Sequence, residues 1–210
     1  MSSGGFYDAA YFEDGVASGK NSMVGAYSWD RLGDDFCRTA EYLVGCFDPK
    51  SVCDFGCAKG FLGRALCRFG VVYYGVDWSD YALTHGYEVL HDFIHRHDLT
   101  RPLPRRLIPP VSCVTCFDML EHIEDADLPA VFENMLMLRP GTIVMNICVP
   151  PQVGFDTSHV NVQPREYWLE KFRRYLPGYR LSEHNYVNPQ VWWFNQERSL
   201  FVLEREYHET

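Results

Sequence analysis

The chain has 210 residues, 47% of them hydrophobic and 22% charged, which suits one folded domain with a full core and excludes intrinsic disorder. Its formal net charge of −9 speaks against a nucleic-acid partner, because affinity for phosphate backbones comes largely from Lys and Arg, and favours a small-molecule substrate. No apolar run reaches membrane-spanning length, and the start, Met1 to Asp8, lacks a basic segment followed by an apolar stretch, so the expectation is a soluble, cytoplasmic protein with no membrane partner.

Aromatic residues and glycines alternate through the first segment: Tyr11, Phe12, Tyr27 and Trp29 with Gly15, Gly19 and Gly25. Residues 1–31 are therefore read as an N-terminal arm or lid, and residues 32–210 as a single domain. Phe36, Ala40, Leu43, Val44 and Phe47 recur at helical spacing, and Asp48-Pro49 stops that helix. A strand over Ser51–Phe55 runs into Gly56-Cys-Ala-Lys-Gly60, followed by a helix over Phe61–Phe69 that Gly70 ends. Val71–Asp77 reads as a second strand, Tyr81–Ile94 as a helix capped by Ser79 or Asp80, Val111–Phe117 as a strand, and Leu128–Leu138 as a helix. Thr142–Val149 is apolar enough for a strand covered on both faces. A helix over Pro164–Tyr175 and two extended stretches, Tyr179–Val187 and Ser199–Glu206, finish the chain. Alternating strands and helices predict an α/β fold with a doubly wound, mostly parallel sheet, and the final pair predicts an antiparallel C-terminal edge.

The eight cysteines lie largely inside apolar runs and read as small buried hydrophobes. Cys113 and Cys116 form the one CxxC, but three positions apart on a strand they point to opposite faces, which argues against a zinc or redox site. His91, His95, His97, Asp92 and Asp98 invite a metal reading, with His91 and His95 on one helix face. The end of a surface helix is the simpler account, and the expectation is no metal.

The decisive pattern is a strand ending in Asp54, a turn bearing Gly56 and Gly60, a helix start, and an acid, Asp77, closing the next strand about 20 residues on. Asp77 is placed to accept both ribose hydroxyls of an adenosine-containing cofactor. A carboxylate at Asp54 would repel a pyrophosphate but complement the ammonium of a methionine moiety, and Ala58 stands where a dinucleotide site would need its second glycine.

Val52-Cys-Asp54-Phe-Gly56-Cys-Ala58-Lys-Gly60 resembles the first motif of class I S-adenosylmethionine-dependent methyltransferases, and the resemblance runs from about Lys50 to Pro150. It implies a Rossmann-like methyltransferase fold and S-adenosylmethionine as cofactor. It also implies that Asp54, Gly56, Cys57, Ala58 and Gly60 hold the methionine part, Asp77 the ribose, and Trp78 the adenine face. Asp98-Leu99 would contact the adenine amino group, and Phe117-Asp118-Met-Leu-Glu121-His122 would close on cofactor and substrate. Ala58 departs from the family's glycine without removing a donor, and Lys59 is expected to face solvent. His122 and His159, in loops after strands, are the candidate general bases for an acceptor that carries a proton. Tyr11, Lys20, Tyr27 and Trp29 are the candidate acceptor-binding residues of the arm. The sequence assigns no oligomeric state. A nicotinamide-dependent oxidoreductase and a non-catalytic S-adenosylmethionine-binding regulatory subunit are the alternative readings.

Overall fold

The computed structural model describes residues 5–21, 25–151 and 156–206; residues 1–4 and 22–24 of the expected arm lie outside them. Among the described residues five α-helices, α1 (Trp29–Phe47), α2 (Phe61–Leu66), α3 (Asp80–Thr84), α4 (Leu128–Met137) and α5 (Arg165–Tyr175), surround one sheet. Its strands are β1 (Ser51–Phe55), β2 (Val72–Asp77), β3 (Ile94–Arg96), β4 (Cys113–Phe117), β5 (Thr142–Asn146), β6 (Tyr179–Leu181) and β7 (Leu200–Arg205). They run in the order β3-β2-β1-β4-β5-β7-β6. The first five are mutually parallel, and β7 runs antiparallel to both β5 and β6, so the expected antiparallel edge is present.

Alternation along the strands divides the core into two layers, because successive side chains leave opposite faces. Val52, Tyr73, Cys113 and Val144 pack with Phe36, Ala40 and Leu43 of α1 and with Leu62, Ala65 and Leu66 of α2. Phe55, Val76, Val114, Cys116, Ile143 and Met145 pack with Val131, Phe132 and Met135 of α4 and with Trp168 and Phe172 of α5. Cys113 and Cys116 therefore sit in different layers, both buried as free thiols. Among the described residues no helix is long and apolar enough to cross a membrane.

The helix expected over Tyr81–Ile94 is much shorter, and β3 takes the end of that segment. Gly86 marks the break: a Cβ there would lie 3.0 Å from the Lys59 carbonyl oxygen, and the Tyr87 amide donates to that same oxygen. Once the chain is held against the turn after β1, a 3-10 turn over Glu88–Phe93 carries it into register, with Ile94 opposite Gly75 and Arg96 opposite Asp77. His91 thus lies in a turn and His95 on a strand, and the shared helix face does not form. The strand expected over Tyr179–Val187 also stops early, at Leu181.

The reversal of strand order falls between β1 and β4: the chain winds outward through β2 and β3, then returns to add β4 and β5 on the other side of β1. Open parallel sheets bind ligands in the crevice at the carboxyl ends of the strands at such a point.

Candidate active site

A cavity of about 1240 Å³ opens at that crevice. Its wall is built from the residues that follow each parallel strand: Gly56 and Ala58 after β1, Asp77 and Trp78 at β2, His97 to Thr100 after β3, Phe117 to Met119 and Glu121 to Glu124 at β4, and Asn146 and Cys148 at β5. Tyr7, Tyr11, Phe12, Asn21 and Tyr27 of the N-terminal segment close one side, and Trp192 and Trp193 another.

The turn after β1 is shaped by backbone bonds. The amides of Gly56 and Cys57 both donate to the Val76 carbonyl, at 2.8 and 3.2 Å. Gly56 has φ +76°, and a Cβ there would come within 2.7 Å of Met119, so only glycine lets the segment after β4 approach this closely. Ala58 also holds a positive φ, +47°, which is strained for a residue with a Cβ. The Asp77 carboxylate fixes the turn by accepting from the Ala58 amide at 2.7 Å and from the Ser79 amide at 2.8 Å.

Lys59 does not face solvent as the sequence reading expected. It is 5% exposed, donates to Glu13 Oε1 at 2.6 Å and to the Tyr27 carbonyl at 2.9 Å, and lies over the rings of Phe12 and Tyr81. The N-terminal segment folds back onto the turn and takes this side chain in, an arrangement that helical periodicity around Lys59 does not encode.

Of the expected cofactor residues, Gly56, Ala58, Asp77, Trp78, Asp98, Leu99 and Phe117 line the cavity. Asp98 Oδ1 accepts from both the amide and the hydroxyl of Thr100, which fixes the turn after β3. Asp54 and Cys57 line a small adjoining pocket instead, together with Gly56, Tyr27, Phe117 and Trp193, and Gly60 lies behind the turn at the start of α2. Thr115 Oγ1 and Tyr73 Oη donate to the Asp54 carboxylate at 2.7 and 3.0 Å. Burial pushes that carboxyl up to about 7 against the pull of those two bonds, and the Asp77 charge adds to the rise.

A raised carboxyl binds its proton more tightly in the folded state than in the unfolded chain. The stability it contributes is complete below the ordinary carboxylate value and is lost as pH rises through about 7. Between those limits the slope approaches about 1.4 kcal/mol per pH unit. Denaturant midpoints of the wild type should therefore fall relative to those of Asp54→Asn between pH 5 and pH 8. A constant difference across that range would show that Asp54 does not titrate there.

Of the expected arm contacts, Tyr11 and Tyr27 line the cavity and Lys20 and Trp29 do not. Lys20 Nζ is held by the Phe6 carbonyl and Asp8, and the Trp29 indole packs under the Arg64 guanidinium, 4.0 Å away. Tyr11 Oη donates to Asp156 at 3.1 Å.

His122 and His159 come together at the β4–β5 side of the cavity, with ring centroids 4.6 Å apart. Glu121 beside them is buried, and one ligand atom from each of Glu121, His122 and His159 lies within 4.8 Å of the others. Burial, with His159 nearby, pushes His122 down to about 4, so its ring is neutral at physiological pH. Beside them, Asp118 accepts from Trp193 Nε1 at 2.8 Å and from Asn146 Nδ2 at 2.6 Å, and Trp193 stacks on Phe117. The sequence places Asp118 and Glu121 in the segment that closes on cofactor and substrate without giving either a role of its own, and nothing in it singles out Asp156.

Residues 29–148, more than half of the chain, match the family model described as a methyltransferase domain. The chain belongs to the methyltransferase-domain family. The ubiquinone biosynthesis O-methyltransferase of Pseudomonas entomophila is 29% identical to it over 124 residues, which are 57% of this chain and 48% of the relative. That of Alkalilimnicola ehrlichii is 29% identical over 108 residues, covering 48% and 43%. The chain thus spans about half the length of the curated relatives it matches. Among solved structures, the small RNA methyltransferase HEN1 aligns with a TM-score of 0.63 at 17% identity, over 90% of this chain and 27% of that one. The sugar N-methyltransferase KedS8 from Streptoalloteichus sp ATCC 53650 aligns with a TM-score of 0.61 at 15% identity, over 86% and 89%. At such identities the likeness is one of fold. The methyltransferase-domain match ends at Cys148, so α5, the edge strands and the His159 loop lie beyond it.

Proposed function

We propose that the chain is an S-adenosylmethionine-dependent methyltransferase that acts on a small-molecule acceptor. The observation that carries this reading is one continuous cavity, about 1240 Å³, that joins the turn after β1 and Asp77 at one end to the His122 and His159 pair at the other. A pocket for one drug-sized ligand is usually about 300–1,000 Å³. This one has space for a nucleoside cofactor and an acceptor side by side.

The residues present fit the cofactor. Asp77, half-buried at the end of β2, offers carboxylate oxygens to ribose hydroxyls, and the partly exposed Trp78 indole offers a face to adenine. Asp54 reaches the adjoining pocket, where a methionine ammonium would find its carboxylate. When bound, S-adenosylmethionine supplies an electrophilic methyl on a sulfonium sulfur. The chain's own work is to position the acceptor in line with that methyl and to exclude water. Tyr11, Tyr27 and Trp193 supply the apolar walls, and the described residues of the N-terminal arm are a lid over them, tied down through Lys59.

The relatives' names, O-methyltransferases of ubiquinone biosynthesis, support an oxygen acceptor of small size. The net charge of −9 supports the same choice against a polyanion such as the RNA that the HEN1 name implies for that protein. Calorimetric titration with S-adenosylmethionine, S-adenosylhomocysteine and NADH tests the reading. Saturable binding of the two sulfur ligands and not of NADH is expected. Binding of NADH alone would replace this reading with that of an oxidoreductase.

A further inference from the structure

We infer that Glu121, His122 and His159 form a divalent-cation site at the acceptor end of the cavity, suited to a transition ion such as Mn²⁺ and open on one side to an acceptor oxygen. The acceptor part of this inference rests on the methyltransferase reading; the cation site itself does not.

Two buried atoms point to a missing partner. Glu121 is 1% exposed, and its Oε1 accepts from the Cys148 amide at 3.0 Å, while Oε2 has no hydrogen-bond partner. His159 Nδ1 is likewise buried without one. A carboxylate oxygen left buried and unpaired is strongly disfavoured, so such atoms are ordinarily paired or bound to a metal. No Lys or Arg ion pair among the described residues reaches Glu121; the nearby ion pair is His159 with Asp156, at 4.0 Å.

His122 is prepared as a ligand by its neighbours. Ser158 Oγ stands 2.5 Å from Asp156 Oδ1 and 2.8 Å from His122 Nδ1. A hydroxyl has one proton, and the carboxylate can only accept, so that proton points to Asp156 and the Ser158 oxygen accepts from His122 Nδ1–H. The Nε2 atom of His122 then carries the free lone pair. A carboxylate acting through a hydroxyl to fix a histidine tautomer is the kind of support that metal-ligating histidines carry.

The backbone holds the three residues in place. The amides of Val160 and Asn161 both donate to the Glu121 carbonyl, at 3.0 and 2.9 Å, which clamps the His159 loop onto the turn after β4. Ligand atoms around a tetrahedral ion lie about 3.3 Å apart, from metal–ligand distances of about 2.0–2.2 Å. A separation of at most 4.8 Å is within reach of that by rotation of the two imidazoles. Nitrogen and oxygen donors without a thiolate suit Mn²⁺, Fe²⁺, Co²⁺ and Zn²⁺, and three protein ligands leave further positions open. A hydroxyl bound there loses its proton to water more readily, its O–H pair staying on oxygen, and that yields the oxygen nucleophile an O-methyl transfer needs.

The test uses the full chain, stripped with EDTA and dialysed, and titrated with Mn²⁺ while free Mn²⁺ is followed by electron paramagnetic resonance. One Mn²⁺ per chain is expected. His122→Ala and His159→Ala should each weaken binding at least tenfold, and Ser158→Ala by roughly tenfold through the lost tautomer lock. Histidine-ring NMR of the unaltered protein answers the same question should a variant fail to fold: Mn²⁺ should broaden His122 and His159 before His91, His95 or His97. Absence of saturable binding, variants that bind as tightly as the wild type, or broadening that begins at His91, His95 or His97 would each overturn the site. S-adenosylmethionine binding, measured without Mn²⁺, reports separately on the methyltransferase reading.

Discussion

Asp77→Ala is expected to abolish S-adenosylmethionine binding, with affinity falling at least 100-fold, while His159→Ala leaves it within a few-fold of wild type. A 100-fold loss corresponds to about 2.7 kcal/mol, and two contributions supply it. Asp77 stands at the cavity wall and also holds the backbone there, through the amide of Ala58 in the turn after β1 and that of Ser79 after β2. Truncation removes the acceptors proposed for the ribose and leaves two N–H groups without their partner, at about 1–3 kcal/mol for each that stays buried. Ala58 at φ +47° has least reason to keep its conformation once that bond is gone. Asp77→Asn separates the two contributions, since an amide oxygen still accepts from one backbone N–H but the charge and the second acceptor are lost. Its thermal midpoint should stay closer to wild type than that of Asp77→Ala, and its cofactor affinity should still fall by more than tenfold. Calorimetry and thermal melts on the three variants decide the matter. Equal loss of cofactor binding in Asp77→Ala and His159→Ala would show that the cavity is not divided into a cofactor end and an acceptor end.

The parts of this molecule that the sequence discloses are those with a local or periodic cause. Strands β1, β2, β4 and β5 are continuous apolar runs, and α1, α4 and α5 carry helical spacing, so the parallel order and the antiparallel edge follow from their succession. The turn after β1 and Asp77 are legible because a glycine turn and an acid at fixed distance have one economical explanation. β3 was hidden, since Ile94–Arg96 becomes a strand by pairing with β2, after Gly86 has met the Lys59 carbonyl. The histidines show the same division. His91, His95 and His97 are neighbours in sequence but fall in a turn, on β3 and at the cavity wall, while His122 and His159 meet where backbone amides of the second loop bind the carbonyl of Glu121. No spacing rule carries a contact made across 37 residues by a loop clamp.

Lys59→Met is expected to loosen the part of the N-terminal segment around Phe12 and Tyr27 without unfolding the sheet. Lys59 sits between Ala58 and Gly60 in the cofactor turn, yet its ammonium belongs to the arm: Glu13 Oε1 at 2.6 Å, the Tyr27 carbonyl at 2.9 Å, and the faces of Phe12 and Tyr81. Methionine has similar length and keeps the apolar contacts, so the change removes the charge with little loss of volume. Glu13 has a side chain 39% exposed and can turn back to water, which holds the loss well below that of a fully buried pair, at about 1–3 kcal/mol. The segment keeps other ties, Ser79 Oγ to the Tyr7 carbonyl at 2.6 Å, Tyr11 Oη to Asp156 at 3.1 Å and the Thr157 amide to the Lys20 carbonyl at 3.1 Å, so the loosening is confined to the stretch around Phe12 and Tyr27. The Tyr27 amide bond to the Phe12 carbonyl and the Tyr27 ring stacked on Phe61 are the next to open. Hydrogen exchange at the Phe12 and Tyr27 amides should accelerate at least tenfold while exchange in β1 and β4 stays unchanged, and cofactor affinity should fall about tenfold as the lid loses its seat. Glu13→Gln, which keeps the hydrogen bond and loses the charge, should give a smaller effect in the same direction. Unchanged exchange at both amides in Lys59→Met would mean that packing alone holds the arm, and the buried lysine would then be a passive consequence of closure instead of the strut that links the cofactor turn to its cover.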